Sequence, residues 1–145
     1  MSNLASETAI THLIVRYAEL VDTGDFAGVG ALFEHAVFVG SGAPVEGRGG
    51  GVERMLRDSV IRYDDGTPRT HHATTNIAVE VDEEAGTAAA RSYVTVFQAL
   101  PDFPLQPVAA GRYHDRFARH DGQWRFTERR VHIHLVGNTT HHLRG

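Results

Sequence analysis

The chain has 145 residues, a formal net charge of −4 with its ten histidines neutral, 41% hydrophobic residues and no cysteine. These values predict a single globular domain over residues 1–145 with a substantial core, and the acidic balance argues against a nucleic-acid-binding face. An apolar run of ~20 residues, cysteine and signal-peptide features are all missing, which argues against a membrane span, disulfides and secretion and predicts a cytoplasmic protein.

Two helices are predicted at the start of the chain, with a sharp break between them at Gly24. Apolar residues recur at helical spacing through Val21 and define one buried face of the first helix. Gly24 is predicted to stop that helix, and Asp25 to cap a second one that runs through Phe33. Asp22 then lies in the last turn of the first helix, where the helix dipole disfavours a carboxylate. It is either a solvated helix-end residue or a carboxylate that orients a base in a pocket.

A short strand, a glycine cluster and a third helix follow. β-Branched and aromatic residues closed by a glycine predict a strand over residues 35–40. The cluster Gly47–Gly51 lacks the lysine and the Ser/Thr of a phosphate-binding P-loop, so it is interpreted as a flexible entry to a helix. Apolar spacing predicts that helix over Val52–Tyr63, with a turn after it.

Four long strands are predicted in the second half of the chain: Thr70–Val81, Ala88–Leu100, Val108–Arg119 and Gln123–Val136. A proline-rich segment, residues 101–107, connects the second strand to the third. An Asp-Gly turn at residues 121–122 connects the third to the fourth. Helices followed by an antiparallel meander indicate an α+β fold, with helices against one face of a curved sheet. Such a sheet closed by helices forms a cone with a concave, mostly apolar pocket.

The neighbouring histidines of the first long strand point to opposite faces. By strict alternation His71 shares a face with Ile77 and would point to the core, but a bulge near the strand start would reverse this. Which of His71 and His72 faces the pocket therefore stays open. His132 and His134 share one face of the last strand, where they form either a two-point metal site or part of a surface, a subunit interface or the pocket rim.

The last strand and the residues after it carry several further charged and titratable groups. Alternation places Phe126 and Arg129 on opposite faces of the strand. An arginine turned inward would polarise a carbonyl or hold an anion, and an outward one would be solvated. His141 and His142 lie in a terminal segment that is predicted to be mobile.

The order and spacing of several motifs resemble the SnoaL-like branch of the NTF2-like superfamily. The motifs are the helix end Tyr17…Val21-Asp22-x-x-Asp25-Phe26 with Leu32-Phe33 and Val37-Phe38 after it, the strand opening Thr70-His71-His72-x-x-x-Asn76, and the closing Gly111-x-Tyr113-x-Asp115-x-Phe117…Asp121-Gly122-x-Trp124-x-Phe126…Arg129-Arg130. The resemblance covers nearly the whole chain. It implies a cone-shaped α+β fold in which three N-terminal helices pack on a curved, mostly antiparallel sheet enclosing a pocket.

Within that superfamily the chain looks most like the lyases scytalone dehydratase, bile-acid 7α-dehydratase and hexachlorocyclohexane dehydrochlorinase. In those enzymes an Asp–His dyad abstracts a proton from carbon and a leaving group departs from the next carbon, without a metal or an organic cofactor. The resemblance implies Asp22 as the orienting carboxylate, His72 as the base and Arg129 as a third catalytic group. It also favours His72 over His71 as the histidine in the pocket.

The sequence therefore predicts a cofactor-independent lyase or isomerase that acts on a small apolar ring compound such as a steroid, a polyketide or an aromatic metabolite. Substrate contacts are expected from aromatic side chains, namely Tyr17, Phe38, Tyr93, Phe97, Tyr113 and Phe117. Two alternatives stay open: a non-catalytic small-molecule-binding module, and a β-subunit-like partner of a ring-hydroxylating dioxygenase.

The expected partners are the small ligand and further copies of the same chain. A homo-oligomer is expected because the outer sheet face would otherwise expose rows of Val and Ile. A trimer is favoured over a dimer because the lyases that the chain resembles are trimers. We expect no metal, no cofactor, no nucleic acid and no membrane partner.

Overall fold

The computed structural model describes residues 3–145, which form three α-helices, a short 3₁₀ helix (Arg48–Gly50) and six strands. The helices are α1 (Asn3–Asp22), α2 (Phe26–Leu32) and α3 (Gly51–Ser59). The strands are β1 (Val37–Val39), β2 (Val45–Glu46), β3 (Thr70–Asp82), β4 (Thr87–Leu100), β5 (Phe103–His120) and β6 (Gln123–Val136). Met1 and Ser2, which begin the predicted N-terminal segment, lie outside the described residues.

The strands form one sheet in the order β2–β1–β6–β5–β4–β3. Strands β3 to β6 pair antiparallel in succession, and β1 pairs parallel with β6 and antiparallel with β2. Helix α1 packs against β3, and aromatic and aliphatic side chains fill the core between the helices and the sheet. The predicted α+β fold, with three helices on a curved, mostly antiparallel sheet, is confirmed.

Two segments differ from the sequence prediction. Helix α3 ends at Ser59 and not at Tyr63, because Val60 is extended and forms a β-bridge with Leu143. Strand β5 begins at Phe103, so most of the proline-rich segment expected to be a connection is strand. The register between β4 and β5 shifts beside this segment, and irregular pairing of this kind is where a strand accommodates proline.

Two β-bulges decide which side chains of the sheet face the helices. Between Thr75 and Ala78, β3 advances three residues while β4 advances two, and Asn76 inside this step has a φ of +53°. Between Phe126 and Glu128, β6 advances two residues while β5 advances one. Because side chains alternate along a strand, each extra residue reverses the inside–outside pattern on its far side.

The outer face of the sheet is charged, which corrects the expectation of exposed rows of Val and Ile. Arg91, Arg112, His114 and Arg130 are exposed there, because the valines of β4 face the core. Exposed apolar side chains gather instead near the end of β6, where Ile133, Leu135 and Val136 are 42%, 60% and 67% exposed. Within residues 3–145, no helix is both long enough and apolar enough to cross a membrane.

Candidate functional site

Asp22 at the end of α1 and His72 near the start of β3 form a hydrogen-bonded pair. Asp22 Oδ1 lies 2.6 Å from His72 Nδ1, and Oδ2 accepts a 2.7 Å bond from the His72 backbone N–H. The Thr70 hydroxyl donates to Oδ1 at 2.8 Å. The His72 and Asp22 side chains are only 8% and 20% exposed. Since Asp22 occupies Nδ1, Nε2 is the ring nitrogen left for a bound molecule.

The break between α1 and α2 holds the Asp22 carboxylate in place. Gly24 has a φ of +78°, and Asp25 Oδ1 accepts a 2.8 Å bond from the Gly28 backbone N–H, so the helix stop and cap occur where they were predicted. A Cβ on Gly24 would lie 1.9 Å from the Gly66 carbonyl oxygen. The loop that leads into β3 therefore closes directly on the helix end, and this close approach requires glycine.

The bulge in β3 explains why His72, and not His71, faces the core. His72 pairs with Val96, which is buried, whereas His71 is exposed. Alternation counted back from Ile77 indicated the opposite arrangement, but the extra residue at Asn76 reverses it. The expectation drawn from alternation alone is corrected, and the orientation implied by the family resemblance is the one observed.

The surroundings of Asp22 favour its charged form. Burial alone would raise the pKa of this carboxyl, but the hydrogen bonds and the charge of His72, together with the Thr70 hydroxyl, hold the pKa below its usual value. A carboxylate at Nδ1 keeps the proton of a neutral imidazole on that nitrogen and stabilises the imidazolium when it forms. The pair is therefore built to accept a proton at Nε2.

Arg129 is fully buried and forms a bidentate salt bridge with Asp115. Its Nε and Nη2 donate to the two carboxylate oxygens at 2.8 and 2.9 Å. The guanidinium lies over the rings of Tyr113 and Tyr17, 3.6 and 4.4 Å from their centroids. Burial opposes the charge, yet the Asp115 carboxylate keeps the pKa of Arg129 above its usual value. Nη1 is buried without a hydrogen-bond partner, and an N–H in that position is a donor for a ligand oxygen.

The bulge in β6 turns Arg129 to the same side as Phe126, and both side chains are fully buried. Alternation predicted opposite faces for these two residues, so this expectation is corrected. Strand periodicity left open whether Arg129 turns inward, and the family resemblance is what identified it as a site residue.

Four of the six aromatic side chains expected to contact a substrate lie in the core: Tyr17, Phe38, Tyr113 and Phe117. The rings of Tyr17 and Tyr113 meet edge to face at 6.0 Å, and the charge of Asp22 acts on both. Burial raises the pKa of both phenols, so they are neutral donors near the dyad at physiological pH.

The other two expected aromatic residues, Tyr93 and Phe97, point away from the core. Tyr93 is 45% exposed, with the Arg112 guanidinium 4.8 Å from its ring centroid. The Phe97 ring lies beside the exposed His71. The valines that alternate with them on β4 take the inner positions, so the expectation that these two rings line the pocket is corrected.

His142, expected in a mobile tail, is buried beside the dyad. His142 is only 8% exposed, and its carbonyl accepts a 2.9 Å hydrogen bond from the Ile61 backbone N–H. Burial lowers the pKa of His142 to about 4; the charge of His72 acts in the same direction and that of Asp22 opposes it. Sequence reasoning missed this residue because the polar tail has no periodicity and because Val60, which forms a β-bridge with Leu143 of that tail, is distant in the chain.

The two histidines considered for a metal site, His132 and His134, are exposed on β6. Among residues 3–145, no three His, Asp or Glu side chains converge as a metal site would require. The pair therefore has no third protein ligand within the described part of the chain, and the surface interpretation fits it better.

Two depressions of about 370 and 540 Å³ lie along the long strands, and neither is lined by Asp22 or His72. The smaller one is lined mainly by polar and charged side chains of the outer face, including Arg91, His114 and Arg130. The dyad marks the candidate site better than either depression, because a carboxylate and an imidazole withdrawn together from water are typical of functional sites.

The sequence profile of the SnoaL-like domain matches residues 2–130. A variant of Rv3472, a protein of unknown function from Mycobacterium tuberculosis, has a TM-score of 0.74 and 27% identity over 92% of this chain and 75% of that chain. A Novosphingobium aromaticivorans protein described as an aromatic ring hydroxylase has a TM-score of 0.74 and 26% identity over 97% and 99% of the two chains. A second protein from that organism, described as a scytalone dehydratase, has a TM-score of 0.72 and 24% identity over 92% and 87%, a similarity of fold. No curated protein matches the chain.

Proposed function

The chain belongs to the SnoaL-like domain family, and we propose that it is a cofactor-independent lyase or isomerase that removes a proton from carbon. The observation that carries this proposal is the partly buried Asp22–His72 pair, with 2.6 Å between Oδ1 and Nδ1. A protein that only binds an apolar ligand gains nothing from withdrawing a carboxylate and an imidazole from water, which costs free energy. A catalytic base needs this arrangement.

The proposed step begins with His72 Nε2, which takes the proton from the carbon atom of the substrate. In a lyase, the electron pair of the broken C–H bond forms a double bond to the next carbon, and the leaving group departs with its own bonding pair. In an isomerase, the pair passes into an adjacent carbonyl as an enolate, and the imidazolium returns the proton at another carbon. Asp22 stabilises the imidazolium in both cases.

Arg129 and the two buried tyrosines are proposed to hold the oxygen or leaving group that gains negative charge. Arg129 Nη1 is a buried donor without a partner, and preorganised donors of this kind stabilise developing charge in a site withdrawn from water. Tyr17 and Tyr113 are neutral phenols near both Arg129 and Asp22. The surrounding aromatic core supports a small, apolar ring compound as substrate, such as a steroid, a polyketide or an aromatic metabolite.

Hydrogen–deuterium exchange on 2-tetralone tests the proposal without knowledge of the leaving group. This bicyclic ketone has acidic C–H bonds next to its carbonyl, and proton NMR in D₂O follows their loss. The protein is expected to accelerate exchange, and Asp22→Asn to slow it by about 10²- to 10⁴-fold, because the amide no longer stabilises the imidazolium. Asp25→Asn, three residues away and still a helix cap, is the matched control. Equal rates in the wild type and in Asp22→Asn would refute the assignment.

Two other functions make different predictions in the same experiment. A non-catalytic binding module would bind 2-tetralone without accelerating exchange. The likeness to a protein described as an aromatic ring hydroxylase, over 97% of this chain, keeps the β-subunit-like role as a second candidate. A chain with that role would co-purify with a larger iron-containing subunit when expressed in its native host.

Homo-oligomerisation, with a trimer favoured over a dimer, stays a prediction, as does the cytoplasmic location. The prediction of an oligomer now depends on the exposed apolar end of β6, residues 133–136, and no longer on the centre of the sheet. Sedimentation equilibrium measures the number of chains directly. A monomer at micromolar concentration would contradict the prediction.

A further inference from the structure

The C-terminal segment, residues 137–145, crosses one end of the sheet and carries His142 to the dyad. Backbone bonds hold it along its length: Gly137 N–H donates to the Val108 carbonyl at 2.8 Å, and Arg144 N–H donates to the Ser59 carbonyl at 2.9 Å. Between these points Leu143 forms a β-bridge with Val60. The segment is therefore anchored on both sides of His142.

Side chains of the sheet and of the loop before β3 form hydrogen bonds to His141, the residue before His142. The His141 carbonyl accepts a 2.9 Å bond from Gln98 Nε2 and a second bond from the Tyr63 hydroxyl. Gln98 is itself buried and donates also to the Pro68 carbonyl at 3.1 Å. The backbone next to His142 is thus fixed by bonds that do not involve its ring.

His142 is only 8% exposed as a residue, and its Nδ1 is buried without a hydrogen-bond partner. A buried polar atom left in this state costs free energy unless something else satisfies it. Gln98, which bonds to the His141 carbonyl, pairs across the sheet with Thr70, whose hydroxyl bonds to Asp22, so His142 lies near the dyad. The charges of His72 and Asp22 both act on the His142 ring. A ligand bound at the dyad would therefore lie near His142 Nδ1.

We propose that His142 is a second ligand-contacting group, a neutral imidazole whose Nδ1 hydrogen-bonds to an oxygen of the ring compound bound at the dyad. This inference rests on the proposed function and adds a feature to the substrate: an oxygen on the side of the reacting C–H that faces the C-terminal segment. A hydroxyl fits either tautomer of the ring because it donates and accepts, whereas a ketone oxygen requires the proton on Nδ1.

The neutral state of His142 suits this role. Burial and the nearby His72 hold the pKa of His142 near 4, so it carries no charge at neutral pH. A cation at this position would repel the imidazolium that forms on His72 during proton transfer. A neutral ring can hold a ligand oxygen without opposing that step.

The test compares two probes that differ by one hydroxyl, 2-tetralol and tetralin, whose dissociation constants are measured by ligand-observed NMR. The Kd ratio of tetralin to tetralol is expected to fall by roughly 3- to 10-fold in His142→Leu, the loss typical of one hydrogen bond. His142→Asn places an amide near the position of Nδ1 and is expected to retain most of the ratio. His141→Leu is the matched control, because that side chain is exposed, the hydrogen bonds are made by its carbonyl, and leucine can keep an apolar contact with Phe103 in place of the His141 ring.

A second measurement on the wild type does not depend on the stability of a variant. In protein labelled with ¹⁵N-histidine, 2-tetralol is expected to shift the His142 Nδ1 resonance and tetralin to leave it in place. An unchanged Kd ratio in folded His142→Leu, equal shifts with both probes, or no response of His142 to 2-tetralol at millimolar concentration would each overturn the inference. Failure of the proposed function appears elsewhere, as 2-tetralone exchange that Asp22→Asn does not slow.

Discussion

Arg129 and Asp115 form an ion pair whose side chains are both 0% exposed. Asp115→Asn removes the charge that compensates the buried guanidinium, so it is expected to lower the free energy of unfolding by about 3–5 kcal/mol. Arg130 and Glu128, which flank Arg129 on β6, form an ion pair whose side chains are 59% and 26% exposed. Glu128→Gln is therefore expected to cost less than about 1 kcal/mol. Urea unfolding measures both changes, and equal losses would contradict the structural role of the buried pair.

Single residues were predictable where their signal was local. Asp22 could be located because the helix stop at Gly24 and the cap at Asp25 are neighbours in the sequence, and both occur as expected. Its partners could not be derived from local pattern, because Thr70 and His72 come 48 and 50 residues later. His142 gave no signal at all, since its burial depends on a bridge between residues 60 and 143.

At the scale of elements, the junction between α1 and the loop before β3 should be sensitive to one methyl group. Gly24 and Gly66 both have positive φ, +78° and +83°, but only a Cβ on Gly24 would strike backbone, 1.9 Å from the Gly66 oxygen. Gly66→Ala is expected to cost about 1 kcal/mol of strain, and Gly24→Ala about 3 kcal/mol or more because the two segments must separate.

The same pair of variants also probes the dyad. Separation of the segments would move Asp22 from His72, so Gly24→Ala is expected to slow 2-tetralone exchange, whereas Gly66→Ala is expected to retain the wild-type rate. Thermal unfolding and the exchange assay measure the two effects. Equal behaviour of both variants would show that the close approach at Gly24 does not position the carboxylate.

Periodicity predicts the helices and strands, but it does not predict which side chains of a strand face the core. All four long strands and the three helices occur near their predicted positions. Single extra residues in β3 and β6 then turn His72 and Arg129 inward. A bulge changes the side-chain pattern without leaving a compositional mark, so strand alternation pointed His72 outward and separated Arg129 from Phe126. The family resemblance retained them because it compares residue positions in the chain and does not depend on the face of a strand.

At the scale of the whole molecule, pairing between distant segments decides which surfaces are buried. The helices were expected on one face of the sheet, and that layer arrangement holds because amphipathic helices must bury their apolar side. The charged outer face and the anchored C-terminal segment were not expected. Both depend on contacts between residues far apart in the chain, such as the bond from Arg144 to Ser59, and local patterns carry no information about such contacts.

Because the C-terminal segment buries His142 in the native fold, the pH dependence of stability should report on its docking. The pKa of His142 is about 4 in the folded protein, against an ordinary value of 6.5. Between these two pH values the unfolded chain binds a proton at His142 that the folded chain does not, so the contribution of His142 to the free energy of unfolding falls as pH falls. The loss amounts to about 3 kcal/mol from pH 6.5 to pH 4. The low pKa of Asp22 places its own contribution at more acidic pH, below the ordinary value of 3.8.

Urea unfolding at a series of pH values separates these contributions. His142→Asn removes the titrating ring, so its free energy of unfolding is expected to change less than that of the wild type between pH 6.5 and pH 4. His141→Asn, with an exposed side chain next in sequence, removes a ring contact with Phe103 but is expected to show the same pH dependence as the wild type. Parallel curves for the wild type and His142→Asn would mean that the ring is protonated in the folded state. The segment would then leave the dyad open to water in solution, and the hydrogen bond proposed for His142 would lose its basis.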